Sequence, residues 1–452
     1  MTLSADELGV FERLVKKLTS HEAKNILLEA YYEGKNRLKD LRIAIPPHMV
    51  TVDAVVGWPG TAVQVLEERL DFEGFYAPGS DFGLNDIYRA NDLDVESGLG
   101  HLDALIYGSS FIVVGKGAEG ESDPLVTIES PRRMTCVYDM RLRRLTSALS
   151  LDRDDRGKPV SGTLYLPDVT IRVERAANNS WVDVFRDEHN LGRVPVVYMP
   201  NNPRAGDPYG RSEISRAVRS YTDSAMRTLL GAEVAREFYS APQRYVLGAR
   251  EDFFLNADGN PINKWDVALG RVLGIPYNDE DGVTPQVGQF QANSTGPYFE
   301  QLKSLAQMLA AETSIPPSYL GFQTDNPASA DAIRQMEARL VKRAERRQKQ
   351  FGRAWTEVGK LSLLVRDGEI PAEANEIRPI WRDASTPTRA AAADEAVKLI
   401  SAGVFRPDSE VTWNRIGLSD TDKQVLRTEN TIADANAILE QLTQTETPGE
   451  TV

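Results

Sequence analysis

Apolar residues recur three and four positions apart through about the first thirty residues: Leu8, Phe11, Leu14, Val15 and Leu18, then Ile26, Leu27, Ala30 and Tyr31. That spacing puts them on one face of an α-helix. Ser4 with Glu7, and Thr19 with Glu22, each fit the S/T-x-x-E capping box, in which serine or threonine and glutamate satisfy each other's orphan backbone donors. The pattern therefore predicts two helices with a junction near Thr19. Breaks follow at Gly34 and at Pro46 and Pro47. A third helix is expected over residues 52–70 and, after a glycine-rich loop, a fourth over 83–105.

From residue 106 to 198 the period falls to two. Segments such as "FIVVG", "LVTIES", "TCVYD" and "WVDVFRD" alternate or run apolar between turn residues, which reads as antiparallel strands. Helices ahead of a sheet make an α+β arrangement. The Pro-, Gly- and Asn-rich stretch "YMPNNPRAGDPYGRSEI" ends this part, and Ser212 is placed to cap a helix over 212–239. Residues 241–293 return to strand-like pattern with a hairpin turn at "NADGN", and a helix over 296–312 follows. Two helices thus bracket a small β-rich insert.

Behind them, Asn326 as N-cap and Pro327 in the first helical position open a pattern unbroken until Asp367 and Gly368. About forty residues of helix span about 60 Å. The C-terminal part reads as two or three further helices, with Gly403 and Gly417 just past helix ends, and a frayed tail over 443–452.

The chain has 452 residues, 41% hydrophobic and 26% charged, which suits folded protein with sizeable cores. Its formal charge of -14 argues against a protein that coats nucleic acid with a basic face. The single cysteine, Cys136, excludes an intrachain disulfide framework and reads as a buried thiol. The acidic N-terminus is unlike a signal peptide, and no apolar run approaches a membrane span, so a soluble protein made in the cytoplasm is expected, with no membrane partner.

Catalytic signatures are missing from the pattern. Gly115, Gly117 and Gly120 spell G-x-G-x-x-G, but a dinucleotide site needs a helix N-terminus next, and a strand follows; a hairpin turn is expected. No G-x-x-x-x-G-K-[ST] phosphate loop occurs, and His21, His48, His101 and His189 are dispersed. No enzyme activity, metal or cofactor is expected.

The sharpest feature is the long helix. Between Asp331 and Arg353 it carries eight basic and three acidic residues, a net +5. Among them are Arg334, Arg339, Lys342, Arg343, Arg346 and Arg347; an apolar stripe through Ile333, Met336, Leu340, Ala344, Phe351 and Trp355 is interrupted by Arg347. The basic face reads as a solvated, salt-bridged surface, as a contact with acidic neighbours in an oligomer, or as a DNA contact.

The order of these parts resembles the tailed-bacteriophage portal protein family, the head-to-tail connectors, over most of the chain. The likeness rests on "YYEGKNRL", on "PYGRSEISRAVRSYTDSAMRTLL" and on "LAAETSIPPSYLGFQTDNPASADAIRQMEARLVKRAE", in that order and spacing. It implies a ring, usually of twelve subunits, at one vertex of the phage head. The parts would be a wing (1–205), a stem helix (206–240), a clip (241–295), a second stem helix (296–313), a tunnel loop (314–328) and a long wing helix (329–368). The remainder of the wing, with a small crown, would occupy 369–442. Gln323, Thr324, Asp325 and Asn326 would face passing double-stranded DNA, and the basic helix residues would make subunit contacts. Implied partners are the terminase large subunit, a head-completion or adaptor protein, and the major capsid and scaffold proteins. A helical interaction scaffold or capsid-associated adaptor without a channel is the alternative.

Overall fold

The computed structural model describes residues 3–38, 54–239, 244–247, 282, 284, 286–289, 294–322, 330–385 and 389–445. The chain divides into two compact units: residues 1–20, 65–211 and 333–452 in the first, and 21–64 and 212–332 in the second.

The N-terminal helix α1 runs unbroken from Ala5 to Tyr32, where two helices were expected. The Ser4–Glu7 box forms: Ser4 N donates to Glu7 Oε2 at 2.8 Å and Glu7 N to Ser4 Oγ at 3.4 Å. Thr19 and Glu22 match the same motif inside the helix, where every backbone donor already has a carbonyl four residues back. Gly34, at φ 67°, ends the run.

In the first unit the opening turns of α1 bury Phe11, Leu14 and Leu18 against Leu149, Leu151, Leu164, Ile171 and Val173 of a five-stranded antiparallel sheet. That sheet is a meander of β4 (Met134–Asp139), β5 (Arg144–Arg153), β6 (Pro159–Tyr165), β7 (Thr170–Arg175) and β8 (Trp181–Asp187). Beside it lies a three-stranded sheet in the order β3 (Leu125–Glu129), β2 (Ser109–Gly115), β9 (Val196–Pro200), so the strand pattern over 106–198 is present as expected. Gly115 ends β2, paired with Leu125, and Gly117 and Gly120 lie in the β2–β3 hairpin connection. A Cβ on Gly117 would stand 2.1 Å from the Ser122 carbonyl oxygen.

Three departures come from interactions that local spacing does not encode. The helix expected over 52–70 is shorter, α2 (Trp58–Glu67). The helix expected over 83–105 is two, α3 (Leu84–Ala90) and α4 (Leu93–Tyr107), broken where Asp92 turns left-handed at φ 47°. Asn91 holds that break: its side chain donates to the Ile87 and Pro124 carbonyls and accepts from Val126 N. The glycine-rich "DFEGFYAPG" contains strand β1 (Phe72–Tyr76), which pairs antiparallel with β12 (Arg378–Trp381), a partner about three hundred residues away.

In the second unit, α5 (Arg216–Tyr239) and α6 (Gly296–Thr313) pack together around Ala225, Met226, Leu302 and Leu305, with Val56 in the same cluster. Ser212 Oγ accepts from Ile214 N in a turn ahead of α5, while Ser215 Oγ accepts from Val218 N and takes the capping role expected of Ser212. The insert between α5 and α6 contributes β10 (Arg244–Leu247), paired antiparallel with β11 (Gln286–Gln289); the "NADGN" turn lies outside the described residues. The long helix α7 covers Ala330–Asp367, 38 residues, or about 57 Å. Three helices close the chain: α8 (Arg389–Ser401), α9 (Glu410–Ile416) and α10 (Asp420–Thr445). Gly403 and Gly417 follow helix ends at φ 71° and 77°.

Candidate functional site

Helix α7 has two chemically distinct faces. Leu340, Ala344, Phe351, Trp355, Val358 and Leu361 are buried, as their spacing requires, although Met336 is exposed. Arg347 lies in the buried row, at 4% exposure. Polar groups also tie this inner face down. Arg69 donates to the Ala384 carbonyl at 2.7 Å and lies 3.4 Å from Glu337, while Gln348 Nε2 donates to the Arg69 and Arg382 carbonyls at 3.0 and 2.9 Å. The helix approaches β12 closely enough that a Cβ on Gly352 would stand 2.9 Å from Pro379 Cγ.

On the other face Arg334, Arg339, Lys342 and Arg346 are exposed and Arg343 is half-buried. The row continues beyond the residues singled out from sequence, to exposed Lys349 and Arg353. From Arg339 to Arg353 the exposed cations follow at intervals of three and four and cover about 21 Å of helix. Lys342 Nζ lies 3.5 Å from Glu345.

Where α7 passes the sheets of the first unit, a cavity of about 240 Å³ opens. Leu145, Val194 and Val196 form its floor; Arg143, Arg144, Arg193, Lys349 and Arg353 surround it. Glu357 is the one acid among the described residues lining it, and Arg193 Nη2 donates to its Oε2 at 2.7 Å. Sequence reasoning missed Arg143, Arg144 and Arg193 because they come from the β4–β5 turn, the first residue of β5 and the lead into β9. The run "RLRR" at 141–144 was the one local signal.

Gln323, Thr324, Asp325, Asn326 and the expected cap at Asn326–Pro327 lie outside the described residues. The approach to them is anchored in the second unit. After α6, Ile315 is buried, a short 3-10 turn over Pro317–Leu320 buries Leu320, and Phe322 packs on the α5–α6 core.

Nothing in the described titratable groups assembles into acid–base machinery. His101 is buried, accepts a 2.9 Å hydrogen bond from Trp355 Nε1, and burial pushes its pKa down to about 3, so it serves as a neutral acceptor in the core. Burial pushes the Cys136 thiol up to about 12, far from a reactive thiolate. Among the described residues no group of three or more His, Cys, Asp or Glu is placed to hold a metal ion, and no helix is long and apolar enough to cross a membrane.

The profile of the family described as "Phage portal protein, SPP1 Gp6-like" matches residues 16–437. The chain belongs to the phage portal protein family. The "Portal protein" of Mycobacterium phage D29 is 35% identical over 410 residues, 88% of this chain and 83% of that one. The "Portal protein" of Mycobacterium phage L5 is 34% identical over 407 residues, 88% and 81%. Among solved structures, a chain of the "Virion of native gene transfer agent (GTA) particle" is 14% identical with a TM-score of 0.44, covering 80% of this chain and 90% of that one. A chain of the "Neck of empty GTA particle computed with C6 symmetry" is 15% identical with a TM-score of 0.44, covering 85% and 94%. The portal assignment thus spans both units.

Proposed function

We propose that this portal-family chain is one subunit of a ring, twelve-fold by the family's usual symmetry, at one vertex of a phage capsid. DNA is packaged and later ejected through its channel, and terminase and head-completion proteins dock on it. The observation that carries the reading is the family match across residues 16–437, with 88% of the chain aligned to portal proteins of two phages. It has no enzymatic role: the packaging motor supplies the energy, and this chain supplies the passage and the platform.

The wing is assigned to the first unit, and the stem and clip to the second. The unit boundaries at 211/212 and 332/333 support this division, and residues 21–64 go with the stem helices. The clip is the insert whose ends pair as β10 and β11. The tunnel loop is assigned to 314–328: buried Ile315 and Leu320, with Phe322 on the α5–α6 core, anchor its first part, and "QTDNPAS" beyond them supplies small and polar residues to the lumen. The net charge of -14 fits a passage through which phosphate must slide, because a negative wall disfavours tight phosphate contact.

Deleting Gln323–Asn326 tests the loop assignment. Rings should assemble normally while DNA packaging or genome retention falls at least tenfold. Unchanged packaging by an assembled ring carrying the deletion would refute a lumen-facing role.

A further inference from the structure

The cavity beside α7 and the turn next to it form one surface. The β4–β5 turn that brings Arg143 and Arg144 to the rim also leaves Met140 and Leu142 52% and 47% exposed. Asp139 stiffens this turn by accepting from the backbone of Arg141 and Leu142. Exposed Lys349 and Arg353 complete a patch that is apolar at its floor and turn, and basic around them.

A complementary element exists in the same chain. Residues 428–445 of α10 contain Glu429, Asp434 and Glu440 and no lysine or arginine, and Ile432 is 56% exposed. The start of α10 is held elsewhere: Arg427 pairs with Glu410 of α9, and Lys423 is buried. Residues 428–433, 435 and 436, among them Glu429 and Ile432, are exposed in the single copy. An apolar surface edged with cations and an exposed helical stretch that pairs Glu429 with Ile432 match in both hydrophobicity and charge.

We infer that the basic, apolar-floored patch formed by Arg143, Arg144, Lys349 and Arg353 docks the exposed stretch of α10 around Glu429 and Ile432 from a second copy of this chain. Duplex DNA fits this face less well, because exposed Met140 and Leu142 and the Leu145–Val196 floor offer nothing to a phosphate backbone. The inference rests on the ring reading and names a contact within it.

Mixing two full-length variants, Lys349→Cys and Glu429→Cys, and oxidising them tests the contact directly. The native Cys136 is buried and stays silent. A disulfide-linked dimer should form in the mixture and exceed either variant alone by at least fivefold. A Lys349→Cys/Glu429→Cys double variant that closes only within one chain overturns the inference. Charge reversal is the second measurement. Arg143→Glu/Arg144→Glu should weaken self-association at least tenfold by sedimentation velocity, and Glu429→Lys/Asp434→Lys in the same chain should restore it. Unchanged association overturns the inference, and so does loss of duplex-DNA retention with association intact, which would give the face to nucleic acid. Rings that form without this cross-link would remove the contact and leave the ring standing, whereas a chain that never associates would remove both.

Discussion

Gly210 shows why the "PYGRSE" stretch takes the residues it does. Its φ is 79°, and a Cβ there would stand 2.2 Å from the Gly108 carbonyl oxygen and 2.7 Å from that of Asn201. Asn201, fully buried, ties the same loop together: Asn201 N donates to the Gly108 carbonyl and Arg211 N donates to the Asn201 carbonyl, at 2.9 and 2.7 Å. Gly210→Ala therefore meets both an unfavourable backbone conformation and a clash with main chain that has no freedom to move. It should cost about 3 kcal/mol or more, read as a falling denaturant midpoint; a loss below about 1 kcal/mol would contradict the packing.

Glu67 offers a pH test at the same scale. Burial first, and then the charges of Asp71 and Glu68, push its pKa up to about 7 from an ordinary value of 4.5. Below pH 4.5 it is protonated whether folded or unfolded and has no effect. Above that, the unfolded chain ionises first and the folded state loses stability progressively until about pH 7. Glu67→Gln should leave Tm unchanged at pH 4 and raise it by a few degrees at pH 8; an equal shift at both values would contradict the sign. The sequence displayed neither effect. Gly210 stands in a proline-rich loop like any turn residue, and the local pattern does not single out Glu67 within the helix expected over 52–70.

Helices and strands were legible where their partners were near in sequence. The meander from β4 to β8, the bracketing pair α5 and α6, and the stripe of α7 from Leu340 onward all repeat at their own period, and the structure keeps them. Long-range partners made the difference elsewhere. Strand β1 exists because β12 lies beside it, and α3 and α4 separate because Asn91 captures backbone groups of the β3 strand and the residue before it. Arg347 was visible as an interruption of the apolar stripe; its burial was not. Pairing of α7 with β12 also sets the tolerance for Gly352. Gly352→Val would drive branched carbons into Pro379 and Trp381, at 2.9 and 3.2 Å from the Cβ position. About 2–3 kcal/mol of destabilisation is expected by urea titration, against less than about 1 kcal/mol for Lys342→Val on the exposed face.

For the whole molecule, charge and family membership point the same way. The chain is strongly acidic, yet it concentrates cations along one face of α7 and around one cavity. An acidic protein with a localised basic face is suited to repeat itself around an axis, each copy meeting the next through unlike surfaces. The assignment of Gln323–Asn326 to the channel rests on resemblance to the portal family alone, since composition does not tell a lumen loop from any polar turn, and these residues lie outside the described ones. Electron microscopy of the purified full-length protein, over a range of concentration and salt, tests this account most directly. End-on views should show closed rings with a central hole wide enough for duplex DNA. A protein that stays monomeric at every concentration and salt, or that assembles without a hole, would contradict it.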